Sequence, residues 1–237
     1  MPYKTSRSRK NLQTAYSGIY SVIAISKRRT IDPKIKDYVI AAAIFLAHAE
    51  LENFVADIFS AFAIGAQSVA KKGSLLPKEL RSHLFLSKAN TQIIFGKYLT
   101  GGPEKDVIRS FISVLNGPVR SIVDDSTELL PFNGSDIFSK QKYPSKDNLK
   151  KLFFRIGIDN VFDKLSAYLK QDSIALLESL SSLRTQLAHT GTLPGISSED
   201  VKNRIVETER FVGAMDRLIY SAVSTNFGYV TWRSHLC

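Results

Sequence analysis

The chain has 237 residues, the length of one large domain or two small ones. Lys and Arg total 32 against 22 Asp and Glu, so the net charge is +10 and favours a polyanionic partner such as nucleic acid or an anionic membrane surface. The single cysteine, Cys237, excludes an intrachain disulfide framework and a cysteine-rich zinc site, and it fits a reducing cytoplasm.

The sequence predicts neither a signal peptide nor a membrane span. The basic opening of the chain is not followed by the short apolar stretch of a signal peptide. The longest uncharged apolar stretch, residues 38–49, has 12 residues. A membrane-spanning helix needs about 20. We therefore expect a buried core helix here, a protein with no membrane partner, and a cytoplasmic location.

The positive charge is concentrated in two segments. Residues 1–40 contain nine Lys and Arg against two Asp, a net +7, and residues 140–170 contain eight basic against three acidic residues, a net +5. The two segments could line one groove for a polyanion. They could equally be a disordered arm and one solvated helix face.

Helical signals dominate the first half of the chain. Apolar residues recur at helical spacing over residues 11–27. Asp32 is then a candidate N-cap and Pro33 takes the first helical position, which predicts a helix over residues 34–69. Residues 131–144 form the longest stretch without helical periodicity and are predicted to be a loop.

The second half carries the clearest patterns. Residues 171–189 predict a Leu-rich helix that ends at Gly191. Its buried stripe consists of four leucines: Leu176, Leu180, Leu183 and Leu187. Ser197 is expected to cap a helix over residues 198–223, whose apolar spacing favours packing within the chain over a dimer seam. The tail that follows alternates weakly and is expected to dock as an extended strand.

These patterns predict an all-α helical bundle with a single domain. Its body spans residues 34–224, after a basic arm and first helix over residues 1–33 and before a C-terminal tail over residues 225–237. We find no internal repeat and no alternation of strands and helices.

The common catalytic motifs are absent from the sequence. There is no glycine-rich phosphate loop, no HExxH zinc motif, no nucleophile elbow and no histidine pair at metal-ligand spacing. We therefore expect no metal and no cofactor. Of the four histidines, His48 is interpreted as a core residue and His83 as a surface residue, while His235 lies near the end of the chain, where order is not expected.

The fourth histidine, His189, follows Arg184 by five residues. Such a pair can carry out phosphoryl transfer without a metal, because the imidazole moves a proton while the guanidinium holds the phosphate oxygens. Five residues correspond to about 140° around a helix, so the two side chains do not face each other on one straight helix. Either the helix ends before His189, or a second subunit brings the partner groups together. Arg184 could also simply lie along apolar surface without a further role.

Three segments resemble one protein family. RTQLAHTG, residues 184–191, resembles the R-x4-6-H motif of HEPN domains. AIFLAHAELENFVADIF, residues 43–59, is similar to the apolar early helix of the RiboL-PSP-HEPN branch, which carries an acidic residue just before its aromatic one. YPSKDNLKKLFFRIGI, residues 143–158, looks like the proline, Asp-Asn, Leu-Phe and Gly-Ile block of the same branch. The resemblance covers roughly residues 34–222.

The resemblance implies a HEPN-like bundle, commonly a homodimer with the motif at the subunit interface. Arg184 and His189 match the two ends of the motif. Thr185 stands where the family often has Asn, so it keeps a polar hydroxyl and loses the amide. Glu52 matches the acidic residue of the early helix, and Glu50 is the competing assignment. That carboxylate could orient His189, pair with Arg184, or be a buried structural partner.

Many proteins of this family are metal-independent endoribonucleases of toxin–antitoxin or anti-phage defence systems. The resemblance thus implies RNA as a partner, with an antitoxin or defence protein as a second one. The residues expected to bind or support RNA phosphates are Thr185 and, in the second basic segment, Lys150, Lys151 and Arg155. The expected reaction is RNA cleavage by attack of the 2′-hydroxyl on the adjacent phosphate. The alternatives are a non-catalytic HEPN module that binds RNA or a protein, and a basic helical scaffold with no RNA role.

Overall fold

The computed structural model describes residues 2–28, 30–89, 91–138, 141, 143–191 and 195–237. Over these ranges the regular structure is helical and contains no strand, which confirms the predicted all-α fold. The first half contains α1 (Arg7–Ser26), α2 (Pro33–Val69), α3 (Lys78–Lys88), α4 (Thr91–Leu99) and α5 (Glu104–Asn116). The second half contains α6 (Gly134–Phe138), α7 (Lys146–Arg155), α8 (Val161–Leu169), α9 (Ser173–Thr190), α10 (Ser198–Phe227) and α11 (Tyr229–Thr231). Short helical turns lie at Gly73–Leu75, Pro118–Ile122 and Trp232–Leu236.

The 37-residue helix α2 is the centre of the bundle and packs against α1, α6, α9, α10 and the C-terminal turn. It begins as predicted, because the Asp32 side chain accepts a hydrogen bond from the backbone N–H of Lys34 at 2.7 Å and Pro33 takes the first helical position. By length and composition alone α2 could also cross a membrane, since one 18-residue window has a mean hydropathy of 1.5. In the bundle 39% of that window is buried.

The helices α9 and α10 form an antiparallel pair with clear caps. Gly191 ends α9 in the left-handed conformation with φ of 70°, as predicted. Ser197 and Asp200 bond reciprocally at the start of α10, which also confirms Ser197 as the cap. The hydroxyl of Ser179 lies 3.3 Å from a carboxylate oxygen of Glu207 and sets the register of the pair. The predicted leucine stripe of α9 is buried, and α10 packs within the chain along its whole length.

The basic N-terminal segment is folded into the same core. The Ser6 hydroxyl accepts a hydrogen bond from the backbone N–H of Arg9, so α1 begins four residues before the predicted start. Tyr16 is fully buried between α1 and α2 and donates its hydroxyl proton to the carbonyl of Ala47 at 3.0 Å. The segment is therefore not a disordered arm, because its apolar stripe packs on α2 and α10.

The C-terminal tail is helical, and the expectation of an extended strand is wrong. Gly228 turns the chain with φ of 83°, and the residues after it form α11 and a π-helical turn. Trp232 is 0% exposed, and its indole N–H donates to the carbonyl of Lys4 at 2.8 Å. The turn is ordered around this buried indole, so His235 is also ordered, contrary to expectation.

The predicted loop over residues 131–144 contains the short helix α6, and residues 139, 140 and 142 of that prediction lie outside the described residues. Gly134 lies so close to α2 that a Cβ there would come within 2.4 Å of the Ser60 hydroxyl. His83 is half-buried, and its Nε2 lies 2.9 Å from the carbonyl of Asp136. His83 therefore lies at the edge of the core rather than fully on the surface, so its prediction as a surface residue is only partly correct.

Candidate functional site

The two ends of the R-x4-6-H motif lie on one continuous helix. Because α9 runs through Thr190, the idea that the helix ends before His189 is wrong. Arg184 and His189 are separated by about 7.5 Å along the axis and about 140° around it. Arg184 is half-buried and faces the bundle, whereas His189 is exposed. Within one chain the two side chains therefore point to different surroundings.

The Arg184 guanidinium lies over an aromatic ring. Its Cζ is 5.9 Å from the centroid of the Tyr143 ring, within the range of a cation–π contact. Such a contact holds the planar group while leaving its N–H donors available for an anion.

A tight turn before α7 holds Tyr143 in place. The backbone N–H of Ser145 and the side-chain amide of Asn148 both donate to the Tyr143 carbonyl, at 2.8 and 3.0 Å. The Ser145 hydroxyl in turn accepts from the backbone N–H of Asn148 at 3.3 Å and caps α7. The segment YPSKDN therefore forms a turn that fixes the tyrosine opposite Arg184.

His48 lies on the other side of this arrangement. Its ring centroid is 5.0 Å from that of Tyr143, and the residue is 2% exposed, which confirms it as a core histidine. Its Nδ1 donates to a carboxylate oxygen of Glu52 at 3.1 Å, one turn later on α2. This bond makes Nε2 the unprotonated nitrogen of the neutral ring. Nε2 is buried and has no hydrogen-bond partner among the described residues.

Burial lowers the pKa of His48, and the positive charge of Arg184 lowers it further, while the carboxylate of Glu52 acts in the opposite direction. The neutral ring thus adds no positive charge beside the guanidinium. We call Glu52, His48, Tyr143 and Arg184 the Tyr143 cluster. It contains one cation, one carboxylate that is 36% exposed, and one uncharged base.

The structure separates the two candidate carboxylates. Glu52 belongs to the Tyr143 cluster, whereas Glu50 faces α1. There Glu50 accepts a hydrogen bond from the side chain of Asn53 at 3.3 Å and contributes to raising the pKa of Tyr16, which rises mainly through burial. Glu52 contacts neither Arg184 nor His189 by a hydrogen bond or ion pair among the described residues.

His189 and Thr185 are exposed on α9. Within the described part of the chain, neither side chain has a hydrogen bond or an ion pair. Both are therefore open to a ligand or to a second subunit.

The basic residues on α7 are placed differently from one another. Lys150 and Lys151 are exposed, and Lys150 lines a cavity of about 430 Å³ together with Asp159 and Asp163. Arg155 is half-buried and donates a hydrogen bond to the carbonyl of Ile137, and burial lowers the pKa of Arg155. Its guanidinium thus holds α7 to α6, so its contacts do not support the expected role on phosphate.

In the described ranges, no group of three or more His, Cys, Asp or Glu side chains is placed to hold a metal ion.

The family model described as RiboL-PSP-HEPN matches residues 8–221, most of the chain. The chain belongs to the RiboL-PSP-HEPN family. The match extends the predicted resemblance at its N-terminal end, because it includes most of α1. No curated protein and no solved structure matches the chain significantly. Family membership favours an RNase or RNA-binding role.

Two members of the Tyr143 cluster were not predicted as site residues. His48 precedes Glu52 by four residues on one helix, a spacing that places them on the same face and could have paired them. Tyr143 meets His48 and Arg184 only through the tertiary fold, and no sequence spacing indicates this contact.

Proposed function

We propose that this protein is a metal-independent endoribonuclease that acts as a homodimer. The observation that carries the proposal is the half-buried guanidinium of Arg184, held over Tyr143 in a family whose motif ends at His189. A guanidinium fixed in this way can bind two oxygens of one phosphate and stabilise the charge that builds on them during transfer.

The reaction that suits these groups is internal transesterification. The 2′-oxygen of a ribose forms a bond to the adjacent phosphorus, and the bond from phosphorus to the 5′-oxygen of the next nucleotide breaks. The proton of the 2′-hydroxyl is lost, and the departing 5′-oxygen gains one. His189 takes one of these protons or supplies the other, while Arg184 binds the phosphate oxygens. The products are a 2′,3′-cyclic phosphate and a 5′-hydroxyl.

The proposal requires a second copy of the chain, because Arg184 and His189 diverge on α9. In a two-fold dimer, Arg184 of one subunit acts with His189 of the other. An apolar surface on α1 and α2 supports this assembly. Its exposed residues are Val22, Ile25, Ile35, Tyr38, Phe45 and Leu46. Phe45 lies two turns before Glu52 on α2, so this surface extends towards the Tyr143 cluster.

The remaining residues have supporting roles in this proposal. Glu52 and His48 form a polar wall behind Arg184, in which the histidine ring is neutral and the carboxylate accepts its Nδ1 proton in a hydrogen bond. Thr185 offers a hydroxyl next to the guanidinium, and the exposed Lys150 and Lys151 add sequence-independent attraction for the RNA backbone.

We further propose that the protein belongs to a toxin–antitoxin or anti-phage defence system. An RNase of this kind in a toxin–antitoxin or defence system acts in the cytoplasm and is restrained by a partner protein. Induced expression should then arrest growth, and the product of a neighbouring gene should relieve the arrest. Growth that continues while total RNA stays intact would count against this setting.

The activity is tested by incubating the purified protein with a labelled RNA in EDTA and analysing the product ends. Wild type should cleave the RNA and leave a 2′,3′-cyclic phosphate, which acid or a phosphatase specific for that group reveals. Arg184→Lys should be nearly inactive, because it keeps the charge and loses the bidentate fork. His189→Ala should also be inactive, whereas Glu178→Gln, an exposed change on the same helix, should cleave like wild type.

Two outcomes would overturn the assignment: cleavage that depends on added Mg²⁺, or full activity in both Arg184→Lys and His189→Ala. A wild type that binds RNA and cleaves none under any condition would favour the non-catalytic RNA-binding module.

A further inference from the structure

A second basic site lies on α10, away from the Tyr143 cluster. We call it the arginine cleft. Gly213 forms its floor, Arg210 and Arg217 flank that floor on the same helix face, and Arg9 of α1 and Tyr168 of α8 form its walls. The cleft has a volume of about 410 Å³, within the range of small-molecule binding sites. It also joins the two basic segments of the sequence, since Arg9 comes from the first and Tyr168 from the second.

The missing side chain at residue 213 makes room for a guanidinium. A Cβ at this position would come within 2.9 Å of Nη2 of Arg9, so the Arg9 side chain lies directly on the α10 backbone. Nη1 of Arg9 donates to the Tyr3 hydroxyl at 3.1 Å. Its Nε is buried and has no hydrogen-bond partner in the described ranges.

The positive charge of the cleft is not neutralised by ion pairs. Among the described residues, no carboxylate lies within 4.0 Å of the guanidinium nitrogens of Arg9, Arg210 or Arg217. The nearest buried carboxylate, Asp216, accepts hydrogen bonds from the Tyr3 hydroxyl and the backbone of Ser6 behind the cleft. Three guanidinium groups therefore surround one concave space beside a single buried negative charge.

Two of the three arginines, Arg9 and Arg217, are held in place, which favours binding of an anion of fixed shape. Cζ of Arg217 lies 4.6 Å from the centroid of the Tyr3 ring, and the Tyr3 hydroxyl binds Arg9. One tyrosine thus organises two guanidinium groups. Converging guanidinium groups match the several oxygens of a phosphate.

Tyr168 gives the cleft an aromatic wall. Its side chain is 54% exposed although it lines the cleft, so one part of the ring is open to solvent. Exposed aromatic rings beside basic residues are the usual platform on which nucleic-acid bases stack.

The arginine cleft is spatially distinct from the Tyr143 cluster. Ser179 of α9 is level with Glu207 of α10, and Arg184 and Gly213 lie in opposite directions from this point along the antiparallel pair. Eleven residues therefore separate the two sites along the axis, or about 16 Å at 1.5 Å per residue.

We propose that the arginine cleft binds one phosphorylated nucleoside, with its phosphate held by Arg9, Arg210 and Arg217 and its base stacked on Tyr168. The nucleoside is a unit of an RNA strand or a free nucleotide, since both present the same groups. The proposal extends the RNA role proposed above, but it uses no residue of the Tyr143 cluster and no cleavage step.

The test measures binding of a fluorescently labelled ten-nucleotide RNA by anisotropy, using His189→Ala as the parent protein so that the RNA stays intact. Arg210→Ala/Arg217→Ala should weaken binding at least tenfold. It should also lower the slope of log Kd against log salt by about 1.4, the value for two lost phosphate contacts on a single strand. The matched control, Lys71→Ala/Lys72→Ala, removes two exposed charges elsewhere and should change the Kd less than threefold.

The aromatic wall is tested separately. Tyr168→Ala should weaken binding about tenfold, and Tyr168→Phe should bind like the parent because it keeps the ring. Circular dichroism and thermal melting establish that each variant is folded. If Tyr168→Ala binds like the parent, the base-stacking part of the proposal is overturned.

Competition by uridine and adenosine monophosphates distinguishes the two sources of the ligand. Displacement of the RNA by millimolar mononucleotide, lost in the double arginine variant, identifies a free nucleotide as sufficient. Resistance to the mononucleotides, with displacement by an unlabelled RNA strand, identifies the strand. If the double arginine variant and the double lysine variant bind RNA and mononucleotides equally well, the proposal is overturned, whether or not wild type cleaves RNA.

Discussion

The Tyr143 cluster and the arginine cleft lie about 16 Å apart along the α9–α10 pair, and at each an arginine lies over a tyrosine ring. At the first, Tyr143 lies between the guanidinium of Arg184 and the buried base His48. At the second, Tyr3 lies between Arg217 and the buried acid Asp216.

The two sites differ in the burial and the hydrogen bonds of their carboxylates, Glu52 and Asp216. Glu52 is 36% exposed and bonds within its own helix, so its hydrogen bond is local. Asp216 is 0% exposed and accepts from Tyr3 and Ser6, more than 200 residues away in sequence. The buried acid therefore fastens the N-terminus to α10, whereas the partly exposed acid bonds only within α2. The same arginine–tyrosine contact is therefore combined with a long-range buried hydrogen bond in one place and with a local, partly exposed one in the other.

The largest expected difference is in the cleavage rate, between variants of Arg184 and variants of Arg217. At saturating RNA, Arg184→Lys should lower the cleavage rate by about 100-fold or more, the usual loss when a preorganised donor to a developing charge is removed. Arg217→Lys should keep the rate within about threefold of wild type, because its guanidinium does not reach the reacting phosphate. Single-turnover cleavage assays measure both rates. Equal losses in the two variants would contradict the division of roles.

The next largest difference is in the free energy of unfolding, between variants of Leu183 and of its neighbour Arg184 on α9. Leu183→Ala should lower the free energy of unfolding by about 2–5 kcal/mol, because the side chain is buried in the leucine stripe and its loss leaves a cavity. Arg184→Lys, one residue later, should lower it by less than about 1 kcal/mol, because the half-buried lysine keeps the charge and much of the stem. Urea denaturation at neutral pH compares the two.

The third difference is in the free energy of unfolding, between variants of Asp216 and of Glu52. Asp216→Ala should lower the free energy of unfolding by about 2–4 kcal/mol, because it leaves two donors, the Tyr3 hydroxyl and the Ser6 N–H, without their acceptor. Glu52→Ala should cost less, about 1–2 kcal/mol, because it leaves only one buried donor, the Nδ1–H of His48, without its acceptor. A larger loss for Glu52→Ala than for Asp216→Ala in the same denaturation assay would reverse the comparison.

The smallest effect is a pH dependence of stability from His48. Its pKa is lowered in the folded protein, so below its ordinary value of about 6.5 the unfolded chain binds more protons than the folded one. Stability should therefore fall as the pH drops from about 6.5 towards the lowered pKa, by at most about 1.4 kcal/mol per pH unit. Urea denaturation between pH 7.5 and 5.5 measures the slope, which His48→Gln should reduce.

His83 is a second histidine that should contribute to the same slope. Burial lowers its pKa, and the charge of Arg155 lowers it further. His83→Gln should reduce the slope independently, and the double variant should reduce it most. Glu52 and Arg184 are the charged groups whose fields act on His48, and Glu52 opposes the shift. An unchanged slope in His48→Gln would contradict the neutral, buried ring described for the Tyr143 cluster.

The sequence predicted the elements whose signals are local. The Asp32 and Ser197 caps, the Gly191 end and the leucine stripe of α9 each depend on residues a few positions apart, and all were found. The tail was predicted wrongly because its order depends on the contact of Trp232 with Lys4, which joins the two ends of the chain.

The difference between local signals and tertiary contacts also explains which site residues the sequence predicted. The motif residues Arg184 and His189 could be assigned from a short segment, and Glu52 from its position on the early helix. Tyr143 could not be assigned, because its contacts with His48 and Arg184 exist only after three distant segments pack together. The role of Arg155 in holding α6 was missed for the same reason.

In the proposed dimer Arg184 of one subunit acts with His189 of its partner, and mixing two inactive variants tests whether the two residues act across the subunit interface. Arg184→Ala and His189→Ala are unfolded together in urea, refolded as a mixture, and assayed for RNA cleavage in EDTA. Random pairing makes half of the dimers mixed, and each mixed dimer has one intact site of the two, so activity should recover to about a quarter of wild type. Each variant refolded alone should stay inactive. If the mixture stays as inactive as its components while sedimentation shows that mixed dimers form, the two residues do not act across the subunit interface.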